Sequence, residues 1–345
     1  MKFLTFYLPQ FHEIPENNDA WGNGFTEWVN VKSAKKYYEW QRQPREPLYG
    51  YYNLLDPKVI EAQAELSKKH GVDGFVFYHY WFNGRLVLEK PVELLRSHSE
   101  IDQDYCFCWA NEPWTKTWHG AGGNKEILIA QKYGAIEEWK KHYEYFRPYF
   151  ADDRYIKKDG KPVVIIYKLR NVVDFNHMIK CWNHLAKDDG FNGVYIVAMN
   201  VTGDHAFQSK WVDASVDFEP NRTKYDLTLR ENADERIIDY DAICESMVER
   251  THRKNHYRTV FVDYDDTPRR KERGVICKNS SPDKFEKYLR ETVRKCMKEG
   301  NEYVFLNAWN EWGEGNYLEP DTAYGDLYLN KVLAIKEELQ SSTDE

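Results

Sequence analysis

Residues 303–315 read Tyr-Val-Phe-Leu-Asn-Ala-Trp-Asn-Glu-Trp-Gly-Glu-Gly, a short apolar run that ends in a cluster of Trp, Asn and Glu side chains. An apolar run without alternation is typical of a parallel strand that is covered on both faces. Polar residues directly after such a strand are typical of the carboxyl end of a barrel strand, where barrel enzymes place their active sites. The stretch therefore predicts a buried strand that delivers functional groups.

Seven further runs share this character and predict strands at 2–8, 74–80, 105–110, 163–168, 194–200, 212–218 and 259–264. Helices are predicted from Asp56-Pro57 to Gly71 and from Ser281-Pro282 to Gly300, because each begins with a capping residue and Pro and ends at Gly. Weaker helical periodicity covers 135–149, 173–188, 236–251 and 324–340.

Repeated alternation of strand and helix predicts the α/β class and a single (β/α)₈ TIM barrel. We expect the barrel to be a catalytic domain at residues 1–340, followed by a polar tail at 341–345. A doubly wound sheet is the alternative, but no Gly-rich fingerprint follows any predicted strand.

Composition excludes several classes of protein. Aromatic residues form 16% of the chain, which is incompatible with intrinsic disorder. The 48 basic and 56 acidic residues give a net charge of −8. Nucleic-acid binding requires a basic patch, and the densest basic run, at 269–273, is interpreted as a short solvated loop. A nucleic-acid partner is therefore disfavoured.

The chain also predicts no membrane span, because no apolar run approaches the roughly 20 residues that a bilayer requires. The start of the sequence has no long apolar segment and no small-residue cleavage site, so we expect a cytoplasmic protein. The six cysteines lack zinc-type pairing, which predicts reduced thiols and no structural metal. No cofactor is predicted, and the sequence does not indicate an oligomeric state.

Aromatic and polar residues follow several of the predicted strands, as at 21–28, 79–84, 109–114, 218–220, 263–267 and 307–315. Trp beside Asn and Glu suits sugars, whose C–H faces stack on rings and whose hydroxyls need planar donors and acceptors. A glycan is therefore the predicted partner.

Glu311 and Glu314 are the strongest catalytic candidates. Cleavage of a glycosidic bond requires two carboxyl groups in different protonation states. Residues three apart on a helical turn lie on one side, and two neighbouring carboxylates repel, which raises the pKa of one. Glu112 follows strand three in the same way, and catalysis and a structural role are equally compatible with its position.

Asp263-Tyr264-Asp265 fits the Asp-x-Asp pattern with which many nucleotide-sugar transferases hold a metal ion. The pattern is short and usually belongs to a Rossmann-like sheet, so a metal role is disfavoured and no metal-binding residue is predicted. His12 and His79 fit either hydrogen bonding to substrate or a satisfied place in the core.

Several motifs together resemble the WbsX family. They are Phe6-Tyr7-Leu8-Pro9-Gln10-Phe11-His12, Gly24-Phe25-Thr26-Glu27-Trp28, the stretch at 77–84, Trp109-Ala110-Asn111-Glu112, Asp266-Thr267-Pro268-Arg269-Arg270 and the stretch at 307–315 with Leu318-Glu319-Pro320. WbsX proteins are associated with bacterial O-antigen and polysaccharide loci and are similar to glycoside hydrolase family 99.

The resemblance implies a (β/α)₈ barrel and a retaining attack on α-mannoside-like bonds, in which the substrate's own 2-hydroxyl displaces the leaving group through a 1,2-anhydro sugar. Glu311 would deprotonate that hydroxyl, and Glu314 would act as general acid and base. The predicted function is a hydrolase or transglycosylase; the alternatives are a glycosyltransferase of O-antigen or capsule assembly and a non-catalytic carbohydrate-binding barrel.

The strand ends and the resemblance together give a set of candidate substrate-binding residues. They are His12, Glu27, Trp28, His79, Tyr80, Trp81, Asn83, Trp109, Asn111, Glu112, Asp265, Asp266, Trp309, Asn310, Trp312 and Glu319.

Overall fold

Eight parallel strands close into a barrel in the computed structural model, which describes residues 1–116, 126–201, 209–224 and 236–341. The strands are β1 (Lys2–Tyr7), β2 (Gly74–Phe82), β3 (Asp104–Trp109), β4 (Lys161–Ile166), β5 (Tyr195–Asn200), β6 (Ala214–Asp217), β7 (His256–Phe261) and β8 (Tyr303–Asn307). Each pairs with the next, and β8 pairs with β1 to close the ring. The predicted barrel is confirmed.

Helices surround the strands. In the described residues they are α1 (Pro57–Lys69), α2 (Lys90–Ser97), α3 (Ile136–Phe150), α4 (Phe175–Asp188), α5 (Tyr240–Glu249), α6 (Pro282–Glu299) and α7 (Leu327–Ser341). The capping signals act as predicted: the Asp56 carboxylate accepts the Lys58 amide, and the Ser281 hydroxyl accepts the Lys284 amide. The described part of the β5–β6 connection holds no helix, and residues 202–208 lie outside the described ranges.

Most of the short elements follow the carboxyl ends of the strands, whereas Lys157–Lys158 precedes β4. The short elements are the helices Pro15–Trp21, Glu27–Lys32 and Thr267–Arg270, the 3₁₀ turns Leu169–Asn171, Lys271–Arg273 and Trp312–Glu314, and the strands Arg85–Val87, Trp114–Thr115, Ile127–Ile129, Lys157–Lys158, Ile237–Asp239, Ile276–Lys278, Asn310–Glu311 and Asn316–Tyr317. Four of these segments, Trp114–Thr115, Thr267–Arg270, Asn310–Glu311 and Trp312–Glu314, contribute residues to the wall of the cavity described below.

The apolar core has two layers, one inside the barrel and one between the strands and the helices. Strand β2 shows the division, because all nine of its residues are buried. Successive side chains of a strand point to opposite faces. Tyr78 points inward and stacks on Phe6, with ring centroids 5.9 Å apart. His79 points outward and meets His142 of α3, with 2.9 Å between their Nε2 atoms.

Strand β7 differs most from its prediction: it spans His256–Phe261, whereas the apolar run predicted 259–264. The run continues past the strand because Tyr264 forms part of the cavity wall. Of the predicted polar tail, Ser341 is the last residue of α7, and residues 342–345 lie outside the described part of the chain.

The six cysteines are free thiols, and all but Cys181 are buried. Among the described residues, no helix combines the length and the apolar character that crossing a membrane demands.

Candidate active site

A cavity of about 330 Å³ opens at the carboxyl ends of the barrel strands. Its wall combines aromatic, acidic and basic side chains, the usual make-up of a site for a polar organic ligand. It is lined by Leu8, Tyr78, Tyr80, Ala110, Glu112, Pro113, Trp114, Thr115, Tyr167, Phe218, Asn221, Tyr264, Arg269, Arg270, Glu311 and Glu314.

Glu311 and Glu314 reach this cavity from one tight turn after β8. The pair Asn310–Glu311 lies antiparallel to Asn316–Tyr317, and the 3₁₀ turn Trp312–Glu314 joins them. The structure thus places both glutamates at one wall, as their spacing predicts. We call residues 311–315 the catalytic turn.

The guanidinium of Arg269 holds three carboxylates at once. Its Nε donates to Glu27 Oε1 at 2.8 Å, one terminal nitrogen donates to Glu314 Oε1 at 2.7 Å, and the other donates to Glu311 Oε2 at 2.8 Å. Arg269 is buried, with 3% of its surface exposed. For Arg269 this contradicts the interpretation of residues 269–273 as a solvated loop, because the surplus of buried carboxyl groups requires a buried cation; Arg270, Glu272 and Arg273 are exposed.

The glycines of the catalytic turn make room for the side chains of Glu27, Arg269 and Arg45. A Cβ on Gly313 would lie 1.9 Å from Glu27 Oε1 and 2.7 Å from Arg269 Nε. A Cβ on Gly315, which has φ +59°, would lie 2.7 Å from the guanidinium carbon of Arg45. Arg45 in turn donates to the Gly315 carbonyl at 2.8 Å. The Trp-Gly-Glu-Gly sequence therefore reflects close packing against buried cations.

The environment of Glu311 changes its proton affinity. Burial raises the pKa of Glu311 to about 8; Arg269 opposes this shift, and the charges of Glu314 and Glu27 add to it. The burial effect prevails because one guanidinium is shared among three carboxylates, so none of them is fully neutralised. Glu311 thus differs from an ordinary surface glutamate in being a much stronger base.

Two asparagines fix the strand exits that carry cavity glutamates. Asn310 accepts the Leu8 amide at 2.7 Å and donates to the Leu8 carbonyl at 3.0 Å, which ties the exit of β8 to β1. Asn111 does the same with the backbone of Lys168, at 2.7 and 2.8 Å, and ties the exit of β3 to the segment after β4. Each Asn-Glu pair thus joins an anchor to a glutamate of the wall.

Glu112 lines the cavity and forms an ion pair with Lys168 at 2.5 Å. Its side chain is more exposed than that of Glu311, at 42% against 8%. This exposure favours contact with a ligand over a role as a buried proton donor, and the part that Glu112 plays stays a prediction.

Tyrosines form much of the remaining wall, with Tyr78, Tyr80, Tyr167 and Tyr264 on three sides. Burial raises the pKa of each of them well above its ordinary value, so they remain neutral hydroxyls. Neutral hydroxyls both donate and accept hydrogen bonds, which suits the hydroxyl groups of a sugar.

Most of the predicted tryptophans do not reach the cavity, and this part of the prediction is wrong. Trp81 stacks on His142 with centroids 4.5 Å apart, and Trp109 packs against Trp182 at 6.3 Å. Trp309 packs on Phe75 outside the barrel. His79 lies in the same outer layer. Because alternate residues of a strand face opposite sides, Tyr80 and Ala110 line the cavity while their neighbours Trp81 and Trp109 face the helices.

Glu319 also lies away from the cavity. Its carboxylate accepts hydrogen bonds from Trp309 Nε1 at 3.1 Å, Trp312 Nε1 at 2.6 Å, the Tyr52 hydroxyl at 2.8 Å and Gln63 Nε2 at 2.6 Å. Burial raises its pKa to about 7. Glu319 and Trp312 therefore support the back of the catalytic turn rather than face a ligand in the cavity.

Four more of the predicted substrate-binding residues do not line the cavity and occupy structural positions. Asp265 binds Gln41, Gln43 and Thr267, and Asp266 accepts the Val275 amide at 2.6 Å. Trp28 donates to the Tyr52 carbonyl at 2.8 Å. Asn83 occupies the Asn-Gly turn after β2 with φ 52°.

His12 is buried outside the cavity lining, and burial lowers its pKa to about 4. Trp118, which follows the predicted third strand, and the Gly-rich stretch at 120–123 lie outside the described residues.

Several cavity residues are absent from the predicted set of substrate-binding residues, although two of them, Trp114 and Tyr264, lie in the strand-end stretches at 109–114 and 263–267. The residues absent from that set are Tyr78, Trp114, Thr115, Tyr167, Asn221, Tyr264, Arg269 and Arg270. Two signals were available: alternation from Tyr80 points to Tyr78, and Pro268 opens a one-turn helix directly after β7, where a barrel places its functional groups.

One group in the described residues has metal-ligand chemistry, formed by Asp217, His252 and His256. The His252 and His256 Nε2 atoms lie 3.2 and 3.1 Å from the Asp217 carboxylate. Arg250 donates to the same carboxylate at 2.6 Å. A guanidinium thus already supplies the positive charge, so the group is best described as a buried ion-pair cluster. The Asp263-Tyr264-Asp265 carboxylates likewise have protein partners, since Asp263 binds Arg45 at 2.9 Å.

Comparison with solved structures finds the same fold. The GH99 endo-α-mannosidase of Bacteroides thetaiotaomicron superimposes with a TM-score of 0.59 at 14% identity, covering 99% of this chain and 98% of that one. A structure described as a glycoside hydrolase-like protein gives 0.59 at 16% identity, with 97% and 93% covered. At such identities the likeness concerns the fold.

Comparison of sequences gives a closer relationship. The WxcX protein of Xanthomonas campestris pv. campestris is 32% identical over 338 residues, which cover 95% of this chain and 48% of that protein. The chain thus spans about half the length of the curated relatives it matches. The family described as "Glycosyltransferase WbsX" matches residues 3–332. The chain belongs to the WbsX family.

Proposed function

We propose that this chain is a retaining glycoside hydrolase or transglycosylase that acts on an α-linked, mannose-like oligo- or polysaccharide, with the barrel as its catalytic unit. The observation that carries the proposal is the shared clamp of Arg269 on Glu311 and Glu314 in the wall of a tyrosine-rich cavity. It provides two adjacent carboxyl groups in unequal surroundings, as glycosidic cleavage requires.

The proposed roles follow from these surroundings. Glu311 is the more deeply buried and the stronger base, so it takes the proton from the sugar's 2-hydroxyl. Glu314 is more exposed, at 18% of its side chain, and protonates the departing glycosidic oxygen. Arg269 touches both carboxyl groups and keeps them on one side of the ring.

The bonds balance without a nucleophile from the protein. In the first step O2 bonds to C1 and the bond from C1 to the leaving oxygen breaks. The proton of the 2-hydroxyl passes to Glu311, and Glu314 gives its proton to the leaving oxygen. In the second step water attacks C1 and the bond from C1 to O2 breaks, while Glu314 takes a proton from that water and Glu311 returns a proton to O2. Two inversions at C1 give net retention. An acceptor sugar in place of water gives transglycosylation.

The decisive experiment is an NMR time course with α-1,2- and α-1,3-linked mannobiose and longer mannosides. The first product formed should carry the α configuration at its new reducing end, before mutarotation. In D₂O with an added alcohol, α-glycoside products would indicate transfer. A β product formed first would refute the retaining route, and no turnover of any α-linked glycan would refute the proposal as a whole.

The pH dependence of kcat/KM is the second expected result. A base must be ionised to act, and kcat/KM reports the pKa of the free enzyme. Because the pKa of Glu311 is raised to about 8, kcat/KM on an aryl glycoside with a nitrophenolate leaving group, which departs without an acid, should fall about tenfold for each pH unit below that value and level off above it. Initial rates from pH 5.5 to 9.5 measure this. A profile on this substrate that does not rise toward pH 8 would contradict Glu311 as the base.

The description of the family as a glycosyltransferase favours a second candidate function, transfer from a nucleotide sugar. Titration calorimetry with GDP-mannose and other nucleotide sugars, with and without Mn²⁺, separates the two. Saturable binding that Glu311→Gln abolishes would support the transferase. A carbohydrate-binding barrel without activity would bind glycans equally well in the wild type and in that variant.

A further inference from the structure

Glu27 binds Arg269 without lining the cavity. It is the first residue of the helix Glu27–Lys32, is 1% exposed and is absent from the cavity wall. Its Oε1 accepts Arg269 Nε at 2.8 Å and Asn30 Nδ2 at 3.4 Å. It is therefore a buried carboxylate that reaches the reacting groups only through Arg269.

The packing leaves this contact little freedom. Glu27 Oε1 lies 1.9 Å from the position that a Cβ on Gly313 would occupy, so the carboxylate presses against the backbone of the catalytic turn. The Glu27 amide also donates to the Gln10 carbonyl at 3.1 Å, which anchors the start of the helix. Arg269 is thereby held between the helix Glu27–Lys32 and the turn.

The groups that act electrostatically on Glu311 come from several elements. They are Arg269, Glu27, Glu314, Tyr78, Tyr80 and Tyr167. The three tyrosines stay neutral because burial raises their pKa values well above the ordinary range. Burial has the largest influence on the proton of Glu311, and the distribution of the Arg269 charge among the three carboxylates is the main influence from neighbouring charges.

We propose that Glu27 is a positioning residue that sets the strength of Glu311 as a base: it occupies one edge of Arg269 and so limits the positive charge that reaches Glu311. The role of Glu311 as a base rests on the function proposed above, whereas the electrostatic effect of Glu27 on Glu311 does not. Without the Glu27 charge, Arg269 pairs more fully with Glu311 and one repulsive charge is lost. Both changes favour the ionised form of Glu311.

The test is a ¹³C NMR titration of the full chain labelled at the glutamate side-chain carboxyl carbons, with the Glu311 signal assigned by its disappearance in Glu311→Gln. In Glu27→Gln the titration midpoint of Glu311 should fall by roughly one pH unit or more. Glu16→Gln is the matched control, since Glu16 lies on the neighbouring helix and pairs with Arg85 at 2.7 Å instead. It should leave the midpoint unchanged.

A second variant protects the test against misfolding. Glu27→Asp keeps the charge but withdraws it from Arg269 by one methylene, so the midpoint should fall by less than in Glu27→Gln. A midpoint that stays constant or rises in a folded variant overturns the inference. If the wild type cleaves no glycan, the proposed function fails, but the titration still decides whether Glu27 acts on Glu311.

Discussion

Replacing Glu314 by Gln is expected to lower kcat/KM by about 10²–10⁴-fold on glycans whose leaving group is another sugar. Such a leaving group departs only when it receives a proton, and Gln has none to give at the pH of the reaction. The same variant should lose far less on an aryl glycoside with a nitrophenolate leaving group, which departs without protonation. Initial rates on the two substrates measure the difference.

Glu311→Gln and Glu93→Gln complete this comparison. Without its base, Glu311→Gln should lose activity on both substrates, because the attack of O2 is needed whatever leaves. Glu93→Gln removes a carboxyl group of α2 that pairs with Lys90 at 2.8 Å, far from the proposed chemistry, and should behave as the wild type. Equal losses on both substrates in Glu314→Gln would rule out its role as the acid.

Arg269→Met is expected to destabilise the fold by about 3–5 kcal/mol at neutral pH, the usual cost of removing one partner from a buried ion pair. The variant leaves Glu27, Glu311 and Glu314 without their shared cation. The folded-state pKa values of buried carboxyls without a cation lie above their unfolded values. The stability they contribute is then full below the unfolded value, about 4.3, and is lost as the pH rises.

Urea denaturation at several pH values should therefore show the deficit of Arg269→Met shrinking toward pH 4–5 and growing toward pH 9. Arg258→Met is the matched control: Arg258 is equally buried, but among the described residues it pairs with one carboxylate, that of Glu299 at 2.5 Å, and otherwise donates to backbone carbonyls. Its deficit should depend less on pH, and its activity should survive. A deficit of Arg269→Met that does not vary with pH would contradict the account of three carboxylates sharing one charge.

The barrel was predictable because its strands are parallel and covered on both sides. Such strands appear as continuous apolar runs. Helices with clear caps, at Asp56 and at Ser281, lie between β1 and β2 and between β7 and β8. The same property hides which side chains face inward. In β2 every residue is buried, so no polar-apolar alternation distinguishes Tyr80 from Trp81. The tryptophans were consequently assigned to the wrong side.

The catalytic turn was predictable from the spacing of Glu311 and Glu314, but the cation that joins them was not. Arg269 stands in a run of charged residues, and such runs usually lie on the surface. Its partner Glu27 is 242 residues away in sequence. Only the closed barrel brings the first and the seventh loop together, so no local pattern could indicate the contact.

The backbone hydrogen bonds of Asn111 and Asn310 allow the loops of this chain to change while the positions of the neighbouring glutamates stay fixed. Each anchors its neighbouring glutamate to the backbone of an adjacent strand exit, through Lys168 and Leu8, and so to the least variable part of a barrel. The loops that follow can then lengthen, shorten or be exchanged while the anchored glutamates keep their places. Divergence toward new ligands, in nature or in the laboratory, can therefore proceed by grafting loops while the cavity glutamates keep their places.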